Sequence, residues 1–178
     1  MSNLGLPFDK WTVVVTAFTG AAAIEINGNT TCSAAGLRRK TKKSIDELAE
    51  KWRFTIFLIV DELSFFSTDD FKKLFKNCMI FKNNNYPFGG LPVGFSGDFS
   101  QLQPINNIPL YLNEKLSEFH ECVNCFLELN IQHRFDNDKQ WNDTLKQFRE
   151  IGPSGKDIKL INSRVLGMVG GPEESDIP

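Results

Sequence analysis

The sequence lacks the features that mark membrane-spanning, secreted or strongly basic chains. Its longest apolar run, residues 54–60 with Thr55 inside it, is far too short to cross a bilayer, so no membrane association is predicted. The opening MSNLGLPFDKW has neither the basic start nor the apolar centre of a signal peptide. Lys and Arg together number 20 against 22 Asp and Glu, which gives a net charge of −2. A nucleic-acid partner must therefore be argued from local charge.

Cysteine and histidine are also scarce, at four and two residues. Only the stretch HECVNC brings them together, as His120, Cys122 and Cys125. These three could form half of a zinc site, but no second half occurs at metal-ligand spacing. Reduced thiols in an intracellular protein are the favoured interpretation, and zinc stays open as the alternative.

What the sequence does have is 178 residues, 41% of them apolar, which is enough for one globular domain with a sizeable core. Several runs rich in β-branched and aromatic residues predict strands, and the first three are continuously apolar, as in strands of a parallel sheet. Helical signals separate them, so the pattern predicts an α/β fold with flanking helices. The predicted strands are 12–17, 54–60, 91–96 and 125–130, and the predicted helices are 20–27, one from Ser44, one from Ser67, 138–150 and 156–164.

The second predicted strand ends on two neighbouring carboxylates, Asp61 and Glu62. Burying an ionised carboxylate is costly unless it is paired or bound to metal, so the pair needs an explanation. Phosphoryl-transfer ATPases need an Asp that holds Mg²⁺ and a Glu that orients and deprotonates the attacking water. The alternative is that Asp61 is a helix N-cap beside a surface carboxylate.

The third predicted strand is followed by the stretch GDFSQLQPI, which places Gly97, Asp98 and Gln101 just beyond its end. A glycine lets the backbone approach a phosphate, and a Gln amide can accept from water and donate to a γ-phosphate oxygen. Ligands of parallel α/β sheets bind beyond the carboxyl ends of the strands. The two strand ends together therefore predict a nucleotide site.

Four stretches occur in a fixed order: VVVTAFTGAAAIEINGNTTCSAAGL (13–37), FLIVDELSFFS (57–67), FGGLPVGFSGDFSQLQPI (88–105) and LELNIQHRF (127–135), the last followed by FREIG and INSRV. This set resembles the motifs of Pif-type DNA helicases, relatives of RecD in helicase superfamily 1. The first stretch is similar to the family's first DNA-contacting motif, the second to its Walker B motif and the third to its third motif. The fourth is similar to the end of the first RecA-like domain.

The resemblance implies a partial RecA-like motor domain over residues 1–166, an incomplete P-loop NTPase sheet and a disordered tail over 167–178. It implies an ATP-dependent DNA helicase with roles in DNA repair, recombination and telomere maintenance. Single-stranded DNA is the implied partner and a monomer the implied state. The implied location is intracellular, and nuclear or mitochondrial if the source is eukaryotic.

For ATP and Mg²⁺, the resemblance implies Asp61 as the Mg²⁺ partner, Glu62 as the catalytic base and Gln101 as the γ-phosphate sensor. Gly97 and Asp98 would belong to the nucleotide site. Arg134 would supply charge to the transition state in the manner of an arginine finger. Its alternative role is a surface ion pair with one of two nearby carboxylates, Asp136 or Asp138.

For DNA, hydroxyls and backbone N–H groups after the first strand fit phosphate contacts. The family usually has His in place of Cys32 and an aromatic residue in place of Ala34, and both departures remove stacking surface. Gln103 replaces a proline and should loosen its loop. The run RRKTKK (38–43) has five cations that fit DNA contacts, a solvated loop or a localisation signal equally well. The implied DNA contacts are Thr16, Thr19, Gly20, Thr30, Thr31, Ser33, Arg38, Arg39, Lys40, Lys42 and Lys43.

One expected motif does not occur in the 178 residues. A Walker B carboxylate works opposite a phosphate loop, G-x-x-x-x-G-K-[ST], which in the family precedes the first motif seen here. The segment GPSGKD (152–157) is rejected, because Asp157 stands where Ser or Thr should bind Mg²⁺ and a predicted helix precedes it. We expect the chain to begin after the phosphate loop, so that its sheet lacks a central strand and leaves apolar edges exposed. The alternative to a helicase is a catalytically inactive nucleic-acid-binding or interaction module derived from one.

Overall fold

A computed structural model of the chain describes residues 11–38, 41–105, 107–114, 116–129, 131, 133–135 and 137–165. The chain divides into a first unit, Met1–Phe126, and a second unit, Leu127–Pro178. The predicted tail over 167–178 lies outside the described residues. In the described part of the chain, no helix has the length and apolarity that a membrane crossing requires.

The first unit is built on a four-stranded parallel sheet in the spatial order β2-β1-β3-β4. β1 and β3 pair along their whole length, from Val13 opposite Phe57 to Ala17 opposite Asp61. β2 and β4 pair in parallel with the outer sides of β1 and β3. The predicted α/β fold with a parallel sheet is confirmed. The strands are β1 (Val13–Ala17), β2 (Asn29–Thr30), β3 (Phe57–Asp61) and β4 (Val93–Phe95).

The predicted strand over 125–130 is wrong for its described residues, 125–129, which form no strand. Phe126, Leu127 and Leu129 are 82%, 85% and 93% exposed. A strand forms only where another backbone satisfies its N–H and C=O groups, and the described sheet contains no pairing to this segment. β2 was not predicted, because two residues are too few for a periodic signal.

Helices and short 3₁₀ turns connect the strands. The helices of the first unit are α1 (Gly20–Glu25), α2 (Thr31–Ala34), α3 (Lys42–Trp52), α4 (Thr68–Lys82) and α5 (Ser117–Cys122). The 3₁₀ turns are Leu63–Phe65, Pro87–Gly90 and Leu110–Leu112.

The caps of two helices test the predicted helix starts. Ser67 caps α4 as predicted, and its Oγ accepts from the backbone N–H of Asp70 at 3.1 Å. The predicted start at Ser44 is wrong. Thr41 caps α3 instead, with its Oγ1 accepting from the Ser44 N–H at 3.4 Å, because a capping hydroxyl three residues earlier lets the helix begin sooner.

The core of the first unit lies where α3 and α4 pack against the sheet. Leu58 and Val60 of β3 are fully buried, and so are Trp52 of α3 and Phe71 of α4. Each such side chain stabilises the fold by about 1.5–3 kcal/mol. Because side chains alternate along a strand, Asp61 falls on the half-buried face of β3, opposite Leu58 and Val60. The core therefore fixes the end of β3 while leaving its last side chain partly accessible.

The second unit contains α6 (Lys139–Glu150) and α7 (Gly155–Asn162), close to the predicted bounds. Ser154 and Asp157 form a capping box at the start of α7. The carboxylate of Asp157 also accepts from Thr144 Oγ1 at 3.0 Å. The segment GPSGKD thus follows a helix and starts another, so the strand–loop–helix context of a phosphate loop does not exist there.

Candidate functional site

Asp61 is the last residue of β3 and lies at the carboxyl edge of the sheet, beside the end of β1. Its Oδ1 accepts a hydrogen bond of 2.5 Å from Ser96 Oγ. Since Val60 pairs with Phe95 in register, Ser96 follows β4 at the level where Asp61 ends β3. The 3₁₀ turn Leu63–Phe65 has Glu62 at its N-cap position and no side-chain capping hydrogen bond, so the proposed N-cap role is wrong for Asp61.

Glu62 makes the chain turn sharply at the end of β3. Its backbone is left-handed, with φ 59° and ψ 44°, which costs a non-glycine residue about 1–2 kcal/mol. The turn is fixed on its far side by Leu63, whose N–H donates to the Ser96 carbonyl at 2.9 Å. Backbone strain that the surroundings maintain is typical of functional sites.

Gly97 packs its backbone against this turn. A Cβ at Gly97 would lie 2.9 Å from Leu63 N, closer than real Cβ atoms approach, and 3.2 Å from Ser64 N, which is also a tight contact. The contact that requires glycine is thus with the β3 turn, and an approach to phosphate stays a prediction.

Asp98 and Gln101 lie in a tight turn beyond Gly97. Asp98 Oδ1 accepts from Ser100 N–H at 2.9 Å, and the Asp98 carbonyl accepts from Gln101 N–H at 3.0 Å. The Gln101 side chain is exposed. Gln103 Nε2 donates to the Tyr111 hydroxyl at 2.9 Å, a bond that a proline could not make. Gln103 therefore ties its loop to Tyr111, against the expectation that it loosens the loop.

Two of the predicted DNA contacts are wrong. Thr16 lies inside β1 with no exposed surface, and its Oγ1 donates to the Ile59 carbonyl at 2.9 Å. Thr31 is 1% exposed, and its Oγ1 donates to the Ala17 carbonyl at 3.2 Å. Both hydroxyls stabilise the main chain inside the unit, so neither can reach a phosphate.

The other predicted contacts near β1 and β2 lie at or near the surface. Thr19 is exposed and caps α1, and its Oγ1 accepts from Ala22 N–H at 3.2 Å. Thr30 caps α2 in the same way through Ser33 N–H at 3.3 Å. Gly20 and Ser33 are exposed. These residues follow or end β1 and β2 at the edge where β3 ends in Asp61, because Ala17 pairs with both Thr30 and Asp61.

The basic run is tied to α4 at one end. Arg38 Nη1 donates to Asp70 Oδ1 at 2.9 Å, while the Arg38 side chain stays 65% exposed. Lys42 and Lys43 open α3, and Lys43 is exposed. Arg39 and Lys40 lie outside the described residues.

In the second unit, Arg134 is exposed in a turn. Asp138 is not its partner, since Asp138 Oδ2 accepts from Arg164 Nη2 at 2.7 Å. That hydrogen bond, followed by one from the Trp141 N–H, holds the pKa of the Asp138 carboxyl below its usual value. Asp136, the other proposed partner, lies outside the described residues.

Among the described residues, no group of three or more His, Cys, Asp or Glu side chains is placed to hold a metal ion. Of the zinc candidates, His120 Nε2 lies 3.2 Å from the Asn113 carbonyl oxygen. Cys122 is half-buried and Cys125 exposed. Burial, with smaller contributions from Glu121 and Glu118, raises the pKa of the Cys122 thiol.

Sequence reasoning missed one residue of the site, Ser96. The only sequence signal for Ser96 is a hydroxyl directly after an apolar strand. That signal predicts no contact until the register between β3 and β4 is known, which places Ser96 at the level of Asp61.

Known proteins resemble this chain in both sequence and structure. The ATP-dependent DNA helicase RRM3 of Saccharomyces cerevisiae is 36% identical over 110 residues, which cover 55% of this chain and 15% of that protein. The ATP-dependent DNA helicase PIF1 of Emericella nidulans is 38% identical over 103 residues, which cover 52% of this chain and 14% of that protein. The chain thus spans only a small part of the length of these curated relatives.

Among solved structures, the Pif1 helicase from Candida albicans matches with a TM-score of 0.75 at 29% identity, covering 88% of this chain and 38% of that one. Bacteroides Pif1 bound to ssDNA matches with a TM-score of 0.64 at 21% identity, over 89% and 41% of the two chains, a likeness of fold alone. The family model of PIF1-like helicases matches residues 4–151, well over half of the chain. The chain therefore belongs to the PIF1-like helicase family.

Proposed function

We propose that this chain is part of the motor of an ATP-dependent DNA helicase and contributes the catalytic carboxylates and part of the DNA surface. The observation that carries the proposal is the meeting of two strand ends: the Asp61–Glu62 turn after β3 and the Ser96–Gln101 turn after β4 share one edge of the sheet. Ligands of parallel α/β folds bind at this edge. Family membership supports nucleotide use and DNA as a partner.

The donor set at Asp61 fits Mg²⁺. This ion prefers hard oxygen ligands and is usually bound through one or two carboxylates, waters and substrate phosphates. Asp61 offers a half-buried carboxylate whose Oδ1 is already fixed by Ser96 Oγ. Mg²⁺ bound with ATP would neutralise charge that develops on the phosphates.

Glu62 takes the role of general base in this proposal. Its left-handed backbone turns the chain away from the strand, directly beside the proposed metal ligand. A carboxylate next to the metal site can accept a proton from the attacking water. Gln101 is proposed to sense the γ-phosphate and Arg134 to supply positive charge, with Gly97 and Asp98 in the nucleotide site.

The proposed DNA surface has two parts. Thr19, Gly20, Thr30 and Ser33 offer hydroxyls and N–H groups for phosphate contacts at the ends of β1 and β2. Arg38 and the other cations of the basic run are proposed to add positive charge that attracts the phosphates. We further propose single-stranded DNA as the form bound, a monomer as the active state, and an intracellular location, nuclear or mitochondrial in a eukaryote.

A second candidate function is an inactive nucleic-acid-binding or interaction module. Such a module would bind DNA through the same strand-end loops and leave ATP unhydrolysed.

A chimera separates the two functions. In it, residues 4–151 of this chain replace the matching segment of the Candida albicans Pif1 helicase, whose remaining segments supply the rest of the motor. Hydrolysis of ATP stimulated by single-stranded DNA supports the helicase proposal. A folded chimera that binds DNA but does not hydrolyse ATP supports the inactive module instead.

A further inference from the structure

We propose that Ser96 is a positioning residue that fixes the Asp61 carboxylate for a divalent cation. The proposal rests on the proposed function, in which Asp61 is the metal ligand. It adds the residue that holds this ligand in place and connects it to the loop after β4.

Ser96 makes three hydrogen bonds to the end of β3. Its N–H donates to the Val60 carbonyl at 2.9 Å, and its carbonyl accepts from the Leu63 N–H at 2.9 Å. Its Oγ donates to Asp61 Oδ1 at 2.5 Å. Ser96 thus forms hydrogen bonds with the residue before Asp61, with Asp61 itself and with the residue after Glu62.

The position of Ser96 is itself fixed by the next residue. A side chain at Gly97 would collide with Leu63 N, so the backbone after Ser96 lies directly against the β3 turn. Asp98 and Gln101 follow within the same turn. A displacement of this loop by a ligand would therefore change the hydroxyl contact with Asp61.

The hydroxyl contact favours cation binding because it removes rotamer freedom from Asp61 before the cation arrives. It engages Oδ1 and leaves Oδ2 free of any hydrogen bond from the described residues. Hydrogen-bond partners of metal ligands typically change metal affinity about 10–100-fold. Ser96 is exposed, so losing its hydroxyl opens no cavity in the core.

The experiment uses the full 178-residue chain, labelled with ¹⁵N and titrated with Mn²⁺, a paramagnetic ion that also accepts carboxylate and water ligands. Broadening is followed at the amide of Leu63 and at that of Phe18, whose N–H donates to the Asp61 carbonyl. Ser96→Thr keeps the hydroxyl. Ser96→Val introduces a side chain of the same shape as threonine but without the hydroxyl, so the two variants form a matched pair. We expect Ser96→Val to raise the Mn²⁺ concentration for half-broadening about 10-fold and Ser96→Thr to stay within about 3-fold of wild type.

Asp61→Asn separates failure of this inference from failure of the proposed function. If Asp61→Asn removes the broadening but Ser96→Val titrates like Ser96→Thr, the positioning role is wrong and the metal role of Asp61 stands. If Asp61→Asn broadens like wild type, or wild type shows no local broadening, the metal role fails and the inference fails with it. If Ser96→Val does not keep the native amide spectrum, Ser96→Ala takes its place. We expect Ser96→Ala likewise to raise the Mn²⁺ concentration for half-broadening about 10-fold.

Discussion

The backbone of Gly97 packs so closely against the β3 turn that an alanine side chain would collide with it. Gly97→Ala would place a Cβ 2.9 Å from Leu63 N, 3.2 Å from Ser64 N and 3.5 Å from Leu63 Cβ. Gly97 does not have a positive φ, so alanine meets no torsional penalty and the cost is steric.

The neighbouring turn has little room to relieve that collision. Leu63 is 5% exposed, and its N–H is already bound to the Ser96 carbonyl at 2.9 Å. Forcing an extra methyl group into such a contact typically costs about 1–3 kcal/mol. We expect Gly97→Ala to lower the free energy of unfolding by that amount.

Urea unfolding followed by tryptophan fluorescence measures this loss. A Trp141→Phe background leaves Trp11 and Trp52, both in the first unit, as the reporters. Gly20→Ala is the matched control, because a Cβ there meets no atom within 4 Å and alanine favours a helix by up to about 1 kcal/mol. Equal unfolding free energies for the two variants would refute the steric argument.

Three further predictions concern residues whose surroundings the structure defines. Thr16→Val should lower the free energy of unfolding by about 0.5–1.5 kcal/mol and leave DNA affinity unchanged, whereas Thr19→Val should weaken binding of single-stranded DNA in a filter or anisotropy assay. Equal losses of DNA affinity in Thr16→Val and Thr19→Val would contradict the placement of Thr16 in the core and of Thr19 on the DNA surface. If Arg38 contacts phosphate, Arg38→Ala should reduce the slope of log affinity against log salt by about 0.7, and an unchanged slope would assign Arg38 to its ion pair alone. Because burial raises the pKa of the Cys78 thiol to about 12, Cys78 should not react with Ellman's reagent at neutral pH in the folded chain, whereas exposed Cys125 reacts at once. Rapid reaction of Cys78 under native conditions would mean that this part of the core opens readily.

Three of the four described strands were predictable because their signals are local. Continuous apolar runs gave β1, β3 and β4, and the carboxylates after β3 predicted a site at the strand ends. The strand over 125–130 failed for a non-local reason: propensity in Phe126 and Leu129 cannot supply a neighbouring backbone.

The meeting of the β3 and β4 ends at one edge of the sheet was predictable, but their detailed contacts were not. Thr16 and Thr31 resembled surface hydroxyls in the sequence, yet strand alternation and packing bury both. Ser96 and the steric role of Gly97 depend on the parallel register between β3 and β4, which no local pattern specifies. Residue types therefore predict a chemistry, whereas the register decides which residues lie together at the strand ends.

ATP turnover by the chimera carrying Glu62→Gln decides whether Glu62 is the catalytic base. Glutamine keeps the size and hydrogen-bonding reach of Glu62 but cannot act as a base, so DNA-stimulated turnover should fall by about 10²–10⁴ while nucleotide still binds. Asp61→Asn should instead weaken Mg²⁺-dependent nucleotide binding, because a neutral amide is a poorer ligand for a hard cation. Near-normal turnover with Glu62→Gln would contradict the assignment of Glu62 as the catalytic base.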